Sequence, residues 1–479
     1  MKERVTPGRG GLARAGTSQD EAYWLENWQI LRDGVYRPRF GLRHVKTMSG
    51  AITDLSKAAG YNANLMVISN SGSLDQVHVE KEVVVNAGTG WPTSPISKCL
   101  APGPSGALWL GCKSAIGGSV GDVCSWDGAT LTTLACDDGN WVACHADFAV
   151  RLASGEDDPA LAIQWSALGD ATDWPVQNAR SPIPQMGSSD ALLPYSASES
   201  VILGPYGFGT LRGRNPDRPA WEMGQNALLL TPMHLAVQCR DRIIIPGAGP
   251  TLLEYIPPGL PRSIQLPLGL DLLLAQGGAN LRAWYNPTLN LYCLTDKTQH
   301  FTYLYSIDQA RWIGSWKHAG GSSFDLLGQA DIDQGASAVD ASTMPWGKSF
   351  LAAGSLIVQM DPSYYKDATS STLDAPFVCT VETQPRSGEP SAHKVLNGIE
   401  VEGYGLFTPY YKFRQGPQAP WTTVTEPNPG DWEFTAPGRF DFPLTSNTYR
   451  EVVVGLTAEA HQDLRFKSIV IDEDVVAID

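Results

Sequence analysis

The chain has 479 residues and a formal net charge of −15, with 43% hydrophobic and 18% charged residues. That size and apolar content allow a large buried core, and the acidic balance argues against wrapping nucleic acid, because phosphate binding needs Lys and Arg. No apolar run reaches the roughly 18 residues of a membrane span, and MKERVTPGRGGLARAG carries charge without the apolar segment of a secretory signal, so neither a span nor an export signal is expected.

The charge is uneven. Residues 1–50 hold nine Lys and Arg against five Asp and Glu, a net of +4, and the rest of the chain carries −19. Charged residues fall below the roughly 25% usual for soluble domains, as expected where partner subunits cover surface. Gly (48), Pro (34) and Trp (15) are abundant, which points to many turns and short strands. The cysteines, at positions 99, 112, 124, 136, 144, 239, 293 and 379, include no C-x-x-C pair. Reduced thiols in a protein made in a cytoplasm are the expectation.

In chain order, the first candidate element is a short helix in SQDEAYWLENWQIL, Ser18 to Leu31. Ser18 can cap it, Glu21 stands at capping-box spacing, and Trp24 and Trp28 carry its apolar stripe. GVYRPRFGLRHVK follows, extended by Pro38 and basic through Arg37, Arg39, Arg43 and Lys46. That cluster is a candidate assembly contact on an acidic neighbour; the other reading is a solvated linker. Residues 1–48 therefore read as an extended, basic N-terminal segment with a possible short helix.

Residues 49–368 break into short β-runs divided by Gly, Pro, Asn and Asp. About seven units recur at roughly 40–45 residue spacing, the period of propeller blades. The fold class expected is all-β: a β-propeller of six to eight blades, about seven counted. Residues 369–479 alternate apolar and polar over about six further strands, which reads as a C-terminal antiparallel β-sandwich.

The motif search yields no catalytic, metal or cofactor assignment. GGSVG, Gly117 to Gly121, matches a nucleophile elbow in letters, but the following DVCSWDGATLTTL is β and turn where a helix is required, so Ser119 is read as part of a blade loop. GPYGFGTLRG lacks dinucleotide-loop spacing. DIDQG at Asp331 to Gly335 has two acids at Ca²⁺-loop spacing without the remaining ligands. The eight histidines show no ligand spacing, and Cys144 and His145 point to opposite faces of a strand. The acidic run Glu156 to Asp158 reads as a solvated hairpin tip.

The most distinctive stretch is IQWSALGDATDWP, Ile163 to Pro175. Its Ser, Gly, Asp and Trp are not in the order of the sialidase Asp-box. Instead it resembles the WS…GDPTDW segment of virion propellers of tailed bacteriophages. SVILGPYGFGTLRGRNPDRPAWEM, NPTLNLYCLTDKTQHFTYLYSIDQARWIGSW, LNGIEVEGYG and DLRFKSIVIDED resemble later parts of the same family in the same order. The family is the tail nozzle, or tail hub, of short-tailed phages, and the resemblance covers most of residues 45–479.

The resemblance implies a non-enzymatic virion component: a ring-shaped homo-oligomer, a hexamer, below portal and adaptor proteins. It would retain packaged DNA, anchor tail fibres or spikes, and conduct genomic DNA without sequence-specific binding. Trp165 and Trp174 are then expected to plug the gaps between blades, and Gly169 and Asp170 to make a blade turn. Two other classes remain open from the residues alone: a propeller glycosidase or lyase acting on host surface glycans, and a cellular propeller scaffold that binds peptides.

Overall fold

The computed structural model describes residues 2–5, 22–30, 35–57, 64–78, 83–91, 100–102, 109–113, 121–153, 163–180, 190–196, 198–212, 220–225, 235–247, 249–257, 259–267, 269–276, 278, 280–332, 348–387, 392–415, 418–425, 428, 430, 432–443 and 448–478. Strands dominate these residues; the regular helices among them are Leu270–Ala275 and the 3-10 turn Gly321–Ser323.

Six sets of four consecutive antiparallel strands follow one another at 52–89, 100–133, 141–180, 191–225, 237–264 and 281–316, the first five as separate sheets. They form blades 1 to 6 of a β-propeller. The strands Leu326–Ile332, Lys348–Ala353 and Leu356–Asp361 begin a seventh blade, and Gly41–Thr47 supplies its fourth strand. The first strands of successive blades lie side by side around the ring, and that of blade 7 lies against Ile52–Lys57 of blade 1. The ring is therefore closed by a strand from near the N-terminus laid against strands about 300 residues later. The turn beneath the closure demands glycine. Gly354 sits at φ 58°, and a Cβ there would lie 2.0 Å from the Ser323 carbonyl oxygen.

Sheets that pack against a neighbour on both faces bury both sides of a strand. Leu291–Asp296 and Phe148–Leu152 are buried at every position. Their sequences accordingly read as apolar runs rather than clean alternation.

The C-terminal region is a two-sheet sandwich organised by one long strand, Ala392–Arg414. Its first half pairs with Arg465–Ile478 and with Phe434–Asp441, its second half with Glu451–Glu459 and Thr422–Val424. The sandwich is not set apart from the propeller. Ala22–Glu26 inserts between Arg311–Trp316, the outermost strand of blade 6, and Val378–Thr383 of the sandwich. One sheet thus runs from blade 6 into the sandwich. A common apolar core follows it, from Leu235 and Tyr292 in the propeller to Val454 and Phe466 in the sandwich.

The N-terminal reading needs correction here. Ser18 and Glu21 lie outside the described residues, but Ala22–Glu26 and Trp28–Ile30 are strands, not a helix. Asn27, at φ 62°, breaks the chain between them. Trp24 and Trp28, spaced like a helical stripe, sit on different strands: Trp24 edges onto Phe301 and Tyr303 of blade 6, and Trp28 packs on Tyr36 and Phe466. Tertiary pairing with two waiting sheet edges overrides local helix propensity.

Candidate functional site

The Ile163 to Pro175 stretch connects the last two strands of blade 3. Ser166 fixes its start: the Ala149 N–H donates to Ser166 Oγ at 3.0 Å, and the Ser166 N–H donates to the Ala149 carbonyl at 2.9 Å. Gly169 adopts φ 71° with open space where a Cβ would stand, and its N–H donates to the Asp147 carbonyl at 2.8 Å. Asp170 Oδ1 accepts from the Thr172 N–H at 2.8 Å and the Thr172 hydroxyl at 2.6 Å. Those bonds to Thr172 hold its carboxyl below the usual range. Gly169 and Asp170 are thus turn residues.

The two tryptophans leave this turn for opposite sides of the blade. Trp165 is 8% exposed, in a core cluster with Leu193, Val201 and Phe208 of blade 4. Trp174 is half-buried against the cluster shared by blades 1 to 3, which includes Trp126 and Val142, and donates from Nε1 to the Ala171 carbonyl at 2.7 Å. One short segment therefore fills space on both flanks of blade 3.

The basic cluster divides. Arg39 is 1% exposed, so it is removed from any assembly surface. Its guanidinium forms a two-toothed ion pair with Asp367, at 2.9 Å from Nη1 to Oδ1 and a closer contact from Nη2 to Oδ2. It also donates from Nε to Asn27 Oδ1 at 3.0 Å and from Nη2 to the Lys317 carbonyl at 3.0 Å, and it stacks 4.0 Å over the Phe377 ring. Asp367 Oδ2 accepts the Ala319 N–H at 2.9 Å, and Asn27 donates from Nδ2 to the Val378 carbonyl at 2.8 Å. This clasp ties the N-terminal strap, the loop after blade 6, the extension of blade 7 and the sandwich at one buried point. Full hydrogen bonding is what makes a buried charge tolerable there.

The remaining three lie nearer solvent. Arg43 is exposed, pairs with Asp361 at 2.9 Å and lies 5.2 Å over the Tyr364 ring. Lys46 is half-buried on the same strand. Arg37 is half-buried 4.8 Å over Phe40, and burial pulls its pKa down.

Sequence reasoning missed two neighbouring features. His318 is buried beside the clasp, stacked on Phe324 at 4.8 Å, and its Nδ1 accepts the Gly320 N–H at 3.0 Å. Burial, partly opposed by Asp367 and reinforced by Arg39, lowers its pKa to about 4. On the outer face of the sandwich a groove of about 410 Å³ is lined by Thr380, Thr408, Pro409, Tyr410, Thr423, Thr425 and Thr457. The Tyr410 ring lies flat over Gly455, where a Cβ would come within 2.1 Å of it. Its hydroxyl donates to Glu382 Oε1 at 2.5 Å, which also accepts Lys412 Nζ at 2.6 Å. Burial and the Glu382 charge hold the phenol protonated, so this cluster is a satisfied polar support rather than a nucleophile.

No family model matches this chain, and no curated protein matches it. Among solved structures it is similar to the β-propeller domain of Cps50 (Swd1) from Myceliophteria thermophila, at 11% identity and a TM-score of 0.44, over 67% of this chain and 99% of that one.

The other candidates from the sequence fall as follows. Ser119, Glu156 to Asp158 and the DIDQG stretch lie outside the residues whose side chains are described. Gly207 and Gly209 stand within the strand Gly207–Arg212. His145 is buried with Nδ1 2.7 Å from Ser200 Oγ, linking blades 3 and 4, while burial lifts the half-buried Cys144 thiol to about 11. Among the described residues no three His, Cys, Asp or Glu side chains gather as metal ligands.

Proposed function

We propose that this chain is a non-enzymatic structural component of a short-tailed phage tail, the ring-forming nozzle or hub subunit. It would sit below the portal and adaptor proteins in the virion, anchor fibres or spikes, and pass genomic DNA during ejection. The observation that carries the reading is mechanical. A single sheet runs from blade 6 through the N-terminal strap into the sandwich, and the Arg39–Asp367 clasp is buried across the same junction. A subunit holding packaged DNA under pressure needs such continuity, whereas a cleft enzyme or peptide scaffold gains little from it. The family-like phrases along residues 45–479 and the acidic excess outside the first 50 residues support the same reading.

The test is to add the purified chain to DNA-filled heads bearing portal and adaptor, and to image the vertex. A closed ring of this chain, a hexamer, is the expected outcome. A chain that fails to dock and instead releases sugars from host surface polysaccharide, or captures extended peptides, would replace the reading with one of the two alternatives.

A further inference from the structure

The outermost strand of a propeller blade presents unpaired backbone N–H and C=O groups to its surroundings, and most such edges here are protected. In blades 2, 3 and 5 the outer strands are only Leu131–Thr133, Ala179–Arg180 and Arg262–Ile264. Blade 6 is covered by Ala22–Glu26 and blade 7 is flanked by Lys366–Ala368. The long free edge of the sandwich, Phe434–Asp441, is guarded by exposed Pro437, Arg439 and Asp441. Short length, cover, proline and charge are the usual defences of a sheet edge.

Blade 1 has none of them. Its outer strand, Val83–Thr89, is seven residues long and pairs on one side with Ser73–His78. Among the described residues no strand pairs with its other side. Val83, Val84 and Val85 are 49%, 37% and 47% exposed. Consecutive residues point to opposite faces of a strand, so over Val83–Val85 both faces are open as well as the edge, while Ala87 and Gly88 pack towards Leu131 of blade 2. No charged residue occurs between Val83 and Trp91.

We infer that this edge is a self-association surface, on which an extended strand of a second copy of the chain pairs along Val83–Thr89. Two observations favour a second copy. The chain already completes blade edges by donated strands, at blade 6 and at blade 7, so strand addition is its own mode of packing. Copies with a net charge of −15 repel one another over most of their surface, and an uncharged valine edge is where they can approach. Backbone hydrogen bonds would give the affinity and the valines the apolar contact. The inference does not depend on the tail reading.

The test is sedimentation of the full chain over a wide concentration range, alone, for the wild type and for the double variant Val83→Lys, Val85→Lys. Both positions are exposed, so thermal melts of the two proteins should coincide at concentrations too low for association. The wild type should self-associate, and the variant should need at least about tenfold more protein to reach the same mass, because opposed lysines repel across a strand pair. Hydrogen exchange on the wild type checks the same point without a substitution: amides within Val83–Thr89 should become protected as concentration rises. A wild type that stays monomeric, a variant that keeps the wild-type mass, or exchange independent of concentration overturns the inference.

Discussion

Trp165 and Trp174 occupy one thirteen-residue stretch yet face different costs of removal. Trp165→Ala opens a cavity between blades 3 and 4 and should cost about 3–5 kcal/mol, whereas half-exposed Trp174→Ala should cost about 1–2 kcal/mol. Urea unfolding of the two variants measures this; equal and negligible losses would mark them instead as an exposed stacking platform. Arg39→Met leaves Asp367 charged and buried without its partner, and should cost about 3–5 kcal/mol, with part regained in the Arg39→Met, Asp367→Leu double variant. Chemical denaturation of all three chains decides it. His318 gives a pH signature. Between its ordinary pKa of 6.5 and its folded value of about 4, the unfolded chain takes up a proton that the folded chain does not. Stability should therefore fall as pH drops through that window, by of the order of 3 kcal/mol, and the contribution should level off below it. His318→Asn keeps an acceptor for the Gly320 N–H and removes the titration, so its melting temperature should change less between pH 7 and 4.

The strand Ala22–Glu26 makes two regions of the chain into neighbours in one sheet. Propeller and sandwich should consequently unfold together, as one calorimetric transition; two well-separated transitions would show that the shared strand does not couple them. The sequence made some of this architecture readable. Gly and Asp turns between short apolar runs marked the blades, and alternation after residue 370 marked the sandwich. The N-terminal strap was not readable, because Ala22–Glu26 takes its strand character from edges some 290 and 350 residues away; only Trp28–Ile30 pairs locally, with Tyr36–Pro38. Arg39 shared that fate. Beside Arg37, Arg43 and Lys46 it looked like one of four surface cations, and only the fold brings Asp367 and Asn27 to it. The Tyr410 and Glu382 pairing was hidden for the same reason, since it joins residues on different strands.

Over the whole molecule, charge follows the division between strap and body. The net +4 of residues 1–50 is partly consumed internally, by Arg39 with Asp367 and Arg43 with Asp361, and the remaining residues carry −19. Duplex DNA should bind the isolated protein only weakly at physiological salt, since few phosphates can exchange counterions for Lys or Arg. Fluorescence anisotropy with labelled duplex checks this. Tight binding would remove the electrostatic support for the conduit proposed above.

The seventh blade has a further consequence, in the order of synthesis. Gly41–Thr47 leaves the ribosome early, yet the strand it must join, Leu356–Asp361, follows 309 or more residues later. At about 5–20 residues per second that is a wait on the order of 15–60 s, during which blades 1 to 6 can form but the ring cannot shut. Closure is thus deferred until nearly the whole propeller exists. A chain broken off before residue 356 leaves Gly41–Thr47 without Leu356–Asp361 to pair with, and one broken off before residue 326 also leaves the inner strand of blade 1 without its neighbour. The topology acts as a checkpoint, admitting to the closed ring only chains translated through the strand Leu356–Asp361.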